Sequence, residues 1–356
     1  MTAKDDARTS LVRYQPEMVE AAFDSFGFFY TTMPDGTLSS LIDGCEFEAR
    51  SFEDDESVPG LALELTWNEP VPKGDETAMI KKLTWWNVNY VFGGAFLDRE
   101  AEDGQAVVRF VETYMFPAGA GVSAAQVETF LRRFITIGGE LMRKLGEGAV
   151  SGDADAGGPV TAPPPPPPPS VDPGIAGLSI DDIPPAPPAA PAPAPSSTAQ
   201  ASVSATTSSE SPEDQVGPLD LWVAASAIEG LGVPLVWTDE SHSALISNRA
   251  GENVFFTTAG DDKEVFVIQS IAEEIVPAHA VDKMLVFVTE WNAGTRFHTV
   301  FIREDVNPST PGDQRIVMTR AYLLDEGVSP RQIREFAGVF FAEMETFFPA
   351  MRQALA

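Results

Sequence analysis

Gly121-Val122-Ser123-Ala124-Ala125-Gln126 recurs later in the chain as Gly327-Val328-Ser329-Pro330-Arg331-Gln332. In each stretch the serine can accept a hydrogen bond from a free amide of a first helical turn, while the glutamine three residues on reaches back to the serine's own amide. Pro330 takes the first helical position, where its missing N–H costs nothing. The spacing beyond predicts two amphipathic helices. Val127, Phe130, Leu131, Phe134 and Leu141 share one face of the first, and Ile333, Phe336, Ala337, Phe340, Phe341, Met344, Phe347 and Phe348 one face of the second. The Gly138-Gly139 pair should interrupt the first, because an interior glycine costs about 1 kcal/mol relative to alanine. Two copies of one helix start imply two copies of one domain.

Working back from the motif, Trp86-Asn87 matches Trp291-Asn292, and at the same spacing Phe92 falls on Phe297, Phe96 on Phe301 and Leu97 on Ile302. This alternation predicts a strand; a turn follows (102–104; 307–312) and then a second strand (106–115; 315–324), a β-hairpin in each copy. Further upstream each copy opens with a helix (15–26; 219–231) and three strand-like runs (28–32, 38–51 with a break, and 61–67; 235–238, 253–258 and 264–271). A middle helix, marked by Met79, Ile80 and Leu83 or by Val281, Met284, Leu285 and Val288, leads into the Trp-Asn pair. The order α-β-β-β-α-β-β-α predicts an α+β domain, an antiparallel sheet with helices on one face or end. Asn87 and Asn292 read as C-terminal caps of the middle helices.

Between the copies, which span 1–150 and 217–356, lies a segment (151–216) of proline, alanine, serine and threonine without aromatic residues. It includes seven consecutive prolines at 163–169 and predicts a disordered, partly polyproline II spacer. An acidic-apolar patch at 174–183 is either a short docking motif or incidental linker. The formal net charge of −30 is spread as −12, −8 and −10 over the three segments, so no segment offers the clustered cations that nucleic acid or an anionic membrane surface needs. The single cysteine, Cys45, excludes an intrachain disulfide and points to a reducing compartment; it reads as a buried strand residue. With no apolar leader after Met1 and no long apolar run, the expected place is the cytoplasm.

Chemistry is sparse. There is no phosphate-cradling loop with a following Lys-Ser/Thr, and the three histidines, His242, His279 and His298, all lie in the second copy with no metal-ligand spacing. Asp239-Glu240-Ser241-His242-Ser243 holds the ingredients of a nucleophile and base, but neighbours in a polar turn do not fold into a triad. The acidic run 53–56 lacks the alternation of a calcium loop. No catalytic, cofactor or metal residue is expected. Trp86 and Trp291 read as core, which leaves Trp85, with Phe336 and Phe340, as the candidate partner-binding surface.

The middle helix ending in asparagine, the aromatic hairpin after it and the Gly-Val-Ser-x-x-Gln helix start resemble the YbjN family of bacterial proteins, over roughly 15–147 and 217–353. That resemblance implies the type III secretion chaperone-like fold and a regulatory or chaperone-like binding role, with no catalytic residues to carry over. The expected function is a non-catalytic protein-interaction regulator with a polypeptide partner. Two other readings stay open: a small-ligand enzyme with its site in the second copy or between the domains, and an adaptor whose linker recruits polyproline readers. A tethered pair also reaches millimolar effective concentration, so the copies are expected to meet as an intramolecular pseudo-dimer, with the middle helices and Trp85 at the contact. Limited proteolysis followed by mass spectrometry should cut first within 146–217 and leave two resistant fragments.

Overall fold

A computed structural model of the chain describes residues 10–53, 58–90, 92–99, 105–116, 121–147, 212–218, 221–238, 242–259, 265–294, 298–304, 314–324 and 326–356. The expected linker lies outside them as far as residue 211, as do the patch at 174–183 and the hairpin turns at 102–104 and 307–312. The end of that segment belongs to the second copy instead: Glu213 and Asp214 pair with Arg334 and Arg331.

The first copy runs α1 (Glu17–Phe26), β1 (Thr31–Thr32), β2 (Leu38–Ile42), β3 (Cys45–Glu53), β4 (Pro59–Thr66), α2 (Glu76–Asn89), β5 (Gly94–Asp98), β6 (Val107–Met115) and α3 (Ala124–Gly146). The second runs α4 (Leu221–Glu229), β7 (Val236–Trp237), β8 (Ala244–Arg249), β9 (Glu252–Ala259), β10 (Val265–Val276), α5 (Val281–Gly294), β11 (Thr299–Glu304), β12 (Gln314–Leu323) and α6 (Pro330–Leu355). Both sheets are antiparallel and have one order, β1-β2-β3-β4-β6-β5 and β7-β8-β9-β10-β12-β11, so the chain is two α+β domains of the same plan.

Each sheet has one strand more than the sequence pattern assigned. In the first copy Asp43 and Gly44, both at positive φ (51° and 82°), form a two-residue turn that folds the 38–51 run into a hairpin with Ile42 opposite Cys45. In the second, Ala250 and Gly251 do the same between Arg249 and Glu252. There β8 escaped notice because polar residues break its alternation. Ser247 is buried, but its hydroxyl donates to the Pro234 carbonyl at 2.7 Å, so a polar side chain sits in a strand core at little cost.

The capping boxes form as read. Ser123 Oγ accepts from the Gln126 amide at 3.1 Å and Gln126 Oε1 from the Ser123 amide at 2.9 Å; the Ser329–Gln332 pair repeats this at 3.2 and 2.9 Å. The glycine of the motif is required twice over. Gly121 and Gly327 adopt φ of 67° and 74°, and a Cβ on Gly121 would come within 2.9 Å of the Val12 carbonyl. Beyond the caps, α3 and α6 lay their apolar faces on the sheets: Phe134 packs on Phe47 of β3 and Phe110 of β6. The Gly138-Gly139 pair does not interrupt α3. A Cβ at 138 would meet Phe110 at 2.7 Å and Leu65 at 2.8 Å, so the missing side chain lets helix and sheet approach.

The two copies touch, and the contact is reciprocal. α2 lies against β11, α5 against β5, and α2 against α5. Gln126 Nε2 donates to the Gly327 carbonyl at 2.9 Å, and Gln332 Nε2 to the Gly121 carbonyl at 3.0 Å. Equivalent residues exchanging equivalent contacts is the signature of an approximate twofold. It buries the inner edge strands β5 and β11 and leaves β1 and β7 outermost. Among the described residues no helix is long and apolar enough to cross a membrane.

Phe340 is fully buried under α6. Phe340→Ala should therefore lower the unfolding free energy of the second copy by about 3–5 kcal/mol, read by urea denaturation; a loss below about 0.5 kcal/mol would place that face at the surface.

Candidate functional site

The two asparagines beside the tryptophans do not cap the middle helices; they tie each helix to a strand. Asn87 lies in the last turn of α2 with its side chain buried, donating from Nδ2 to the Ala95 carbonyl at 2.8 Å and accepting at Oδ1 from the Ala95 amide at 2.9 Å. Asn292 makes the same pair of bonds with Val300 at 2.8 and 2.9 Å. A primary amide presents one donor and one acceptor side by side, so it mimics a neighbouring strand and satisfies the edge of β5 or β11. These brackets fix where the inner edges lie, and with them the junction between the copies.

At that junction stands a cluster of polar and aromatic groups. Tyr114 stacks on Phe130 at 3.7 Å between ring centroids, and Phe130 meets Tyr322 of the other copy edge to face at 5.8 Å. Arg320, 5% exposed, places its guanidinium 4.7 Å above the Phe336 ring, while its Nε and Nη1 find no hydrogen-bond partner. Glu112 faces it from the first copy, with Oε2 accepting from the Gly93 amide at 2.7 Å. Burial pushes the Glu112 carboxyl up to about 7 despite the nearby Arg320 charge. Burial also draws Arg320 down, against the pull of Glu112 and Glu343.

His298 sits beside this cluster with Nε2 accepting from Trp291 Nε1 at 2.9 Å and Nδ1 3.5 Å from a Glu343 oxygen. Burial first, and then Arg320, hold its pKa down at about 3, so it is a neutral packing residue at ordinary pH. Among the described residues no group of three or more metal-capable side chains gathers.

The outer edges differ in character from the junction. Ser40 Oγ donates to the Phe29 carbonyl at 2.7 Å where β1 meets β2, and on either side Phe29 is 95% and Leu41 71% exposed, with Met33 exposed nearby. In the second copy Val236 of β7 and Trp222 of α4 are exposed, Trp222 by 57%. Trp222, Trp237 and His242 form a mutual aromatic contact with centroids 4.6–4.9 Å apart. Exposed apolar side chains thus gather around both outer edges, on β7 itself at Val236 and otherwise on the segments beside the edge strands, Phe29 just before β1, Leu41 on β2 and Trp222 on α4. Isolated exposed leucines are ordinary, but apolar groups gathered on a free sheet edge are not.

Of the residues expected to face a partner, Trp85 is 38% exposed on α2, whereas Phe336 and Phe340 are buried. The correction has a physical cause: α6 is covered along most of its apolar face by its own sheet, and Phe336 is covered further by Tyr322 and Arg320 at the junction. Trp86 is fully buried, stacked on Tyr90, and Cys45 is buried in β3. The edge residues went unnoticed in the sequence because the run 28–32 reads as one strand, whereas only Thr31–Thr32 pair with β2 and Phe28, Phe29 and Tyr30 lie before that strand, with Phe29 turned to solvent.

Compared with known proteins, the chain matches the model of the YbjN family, described as "Putative bacterial sensory transduction regulator", over residues 15–147 and again over 225–353. It is also similar to a crystal structure described as "YbjN, a putative transcription regulator from E. coli", with 15% identity and a TM-score of 0.31, covering 39% of this chain and 96% of that one. No curated protein matches it.

Because the folded Glu112 holds its proton up to about pH 7 and an unfolded glutamate only to about 4.5, the folded state binds more protons between these values. Its contribution is full below the lower value and is lost as pH rises through the upper one. Glu112→Gln should therefore gain stability relative to the parent as pH rises from 4.5 to 7, measured by urea unfolding at a series of pH values. A difference that stays constant over that range would show Glu112 ionised throughout.

Proposed function

This chain belongs to the YbjN family, and from that membership we propose that it is a non-catalytic cytoplasmic regulator that works by holding an extended polypeptide against its free sheet edges. The observation that carries the proposal is the contrast between the two kinds of edge. The inner edges β5 and β11 are buried by the asparagine brackets and by the other copy, while the outer edges keep exposed apolar side chains, Phe29 and Leu41 at one and Trp222 and Val236 at the other. An extended peptide added to such an edge gains backbone hydrogen bonds along its length and pockets for alternate side chains.

Charge narrows the partner. With −30 on the whole chain and acidic excess in both domains, a basic or neutral segment is drawn in and an acidic one repelled. The enclosure of His298, whose Nε2 is engaged by Trp291, supports a binding role over an enzymatic one at the junction. To test this, the purified chain would be titrated with a fluorescent peptide of alternating lysine and valine. Phe29→Asp with Leu41→Asp, or Trp222→Asp, should weaken binding by about tenfold or more, on the order of 1.4 kcal/mol. Undiminished binding by both variants would overturn the edge reading.

A further inference from the structure

We propose that Glu112 with Arg320, and Gly94 with Thr299, form a pairing code that makes each copy a partner for the other copy of its own chain and not for itself. The hydrogen-bond register identifies the equivalent positions. Ala95 and Val300 are the residues bracketed by Asn87 and Asn292. The preceding residues, Gly94 and Thr299, stand opposite Val111 and Thr319; one step further along β6 and β12 come Glu112 and Arg320. The same site therefore carries a carboxyl in one copy and a guanidinium in the other. The two line one small pocket at the junction together with Gly94, Thr299 and His298, where each lies within electrostatic reach of the other.

At the exposed rim of the junction Lys81 pairs with Asp282 at 3.9 Å and Arg99 with Glu290 at 4.0 Å, solvated contacts of small weight. The hydrogen-bonded and aromatic part of its centre does not discriminate. Gln126 and Gln332 are the same residue making the same bonds, Tyr114 and Tyr322 occupy equivalent positions, and Phe130 and Phe336 lie at the same place on α3 and α6. A surface built only from these would pair with itself as readily as with its sibling. Self-pairing of the second copy would instead set two Arg320 side chains together, each nearly enclosed and each with two N–H groups already lacking partners. Self-pairing of the first would set two Glu112 carboxyls together. Burial already pushes one up to about 7 beside Arg320, so that pair repels only as far as both are ionised, and the rejection by charge is carried chiefly by Arg320. Like charges juxtaposed out of water are strongly disfavoured, which is how interfaces reject wrong partners.

Shape repeats the code independently of charge. A Cβ built on Gly94 comes within 2.8 Å of Thr299 Oγ1, so the two equivalent positions touch across the junction and only one of them has room for a side chain. Threonine against threonine would collide, and glycine against glycine would leave a gap. Both devices favour the mixed pair. Their consequence is closure: a tethered pair of self-compatible domains could link chain to chain, whereas a coded pair closes within one chain and leaves each molecule with two outer edges.

The test uses the full-length chain and reads its size by small-angle scattering and sedimentation. Glu112→Arg and Arg320→Glu should each open the chain or drive it into larger assemblies. The double exchange of the two should restore the compact monomer, and an equimolar mixture of the two single variants should form complexes between chains. Compact monomers for both single variants, or a double exchange that behaves no better than the worse single one, would overturn the charge code. Should a charged variant fail to fold, Gly94→Thr is read against Gly94→Thr with Thr299→Gly. Recovery of the compact monomer in the second but not the first upholds the code, and equal behaviour of the two rejects it.

Discussion

The side-chain amide of Gln126 is used in two directions at once. Its oxygen completes the capping box that starts α3, and its nitrogen crosses to the Gly327 carbonyl of the other copy, while Gln332 returns the arrangement. The start of the last helix and the meeting of the two copies are therefore one hydrogen-bonded network. In an isolated copy the same nitrogen would face water, so pairing exchanges a solvated donor for one bonded to the sibling copy. Such an exchange contributes only about 0.5–1.5 kcal/mol per bond, but its geometry fixes the helix start and the register of the junction together.

The junction that results combines apolar contact with charges poorly suited to burial. Removing a carboxylate and a guanidinium from water costs several kcal/mol per ion in real proteins, and their attraction offsets this only in part. The raised Glu112 pKa and the lowered Arg320 pKa both follow from this cost. Such a pair is better suited to selecting a partner than to strengthening a contact, and the oppositely charged residues at equivalent positions fit that use. Around it the aromatic stack of Tyr114, Phe130, Tyr322 and Phe336 supplies apolar burial.

Sealing the inner edges has a geometric consequence for the outer ones. A sheet has two edges, and the helices and the sibling copy here cover one of each pair. The strands β1 and β7 remain terminal, each only two residues long. Short edge strands are a common protection against unwanted pairing. The apolar side chains that accompany them work against that protection, which makes those edges the part of the surface most in need of a functional explanation.

The sequence by itself determined the duplication, the α+β class, both capping boxes and most of the helices, because these depend on local spacing and on capping chemistry confined to a few residues. It also placed Cys45 and Trp86 in the core through the alternation and periodicity around them. It missed β8, where a single satisfied hydroxyl at Ser247 breaks the alternation, and it misjudged Gly138, Phe336 and Phe340, whose roles depend on what packs against them from far along the chain. Asn87 and Asn292 looked like helix caps because that is what an asparagine near a helix end does in isolation. Only the tertiary structure brings Ala95 and Val300 to them, and only it sets Glu112 opposite Arg320 and Gly94 against Thr299. The physical reason is common to all of these: a residue's local preference is written in its neighbours along the chain, while its partner across the junction is chosen by the register of strands that the sequence pattern leaves free.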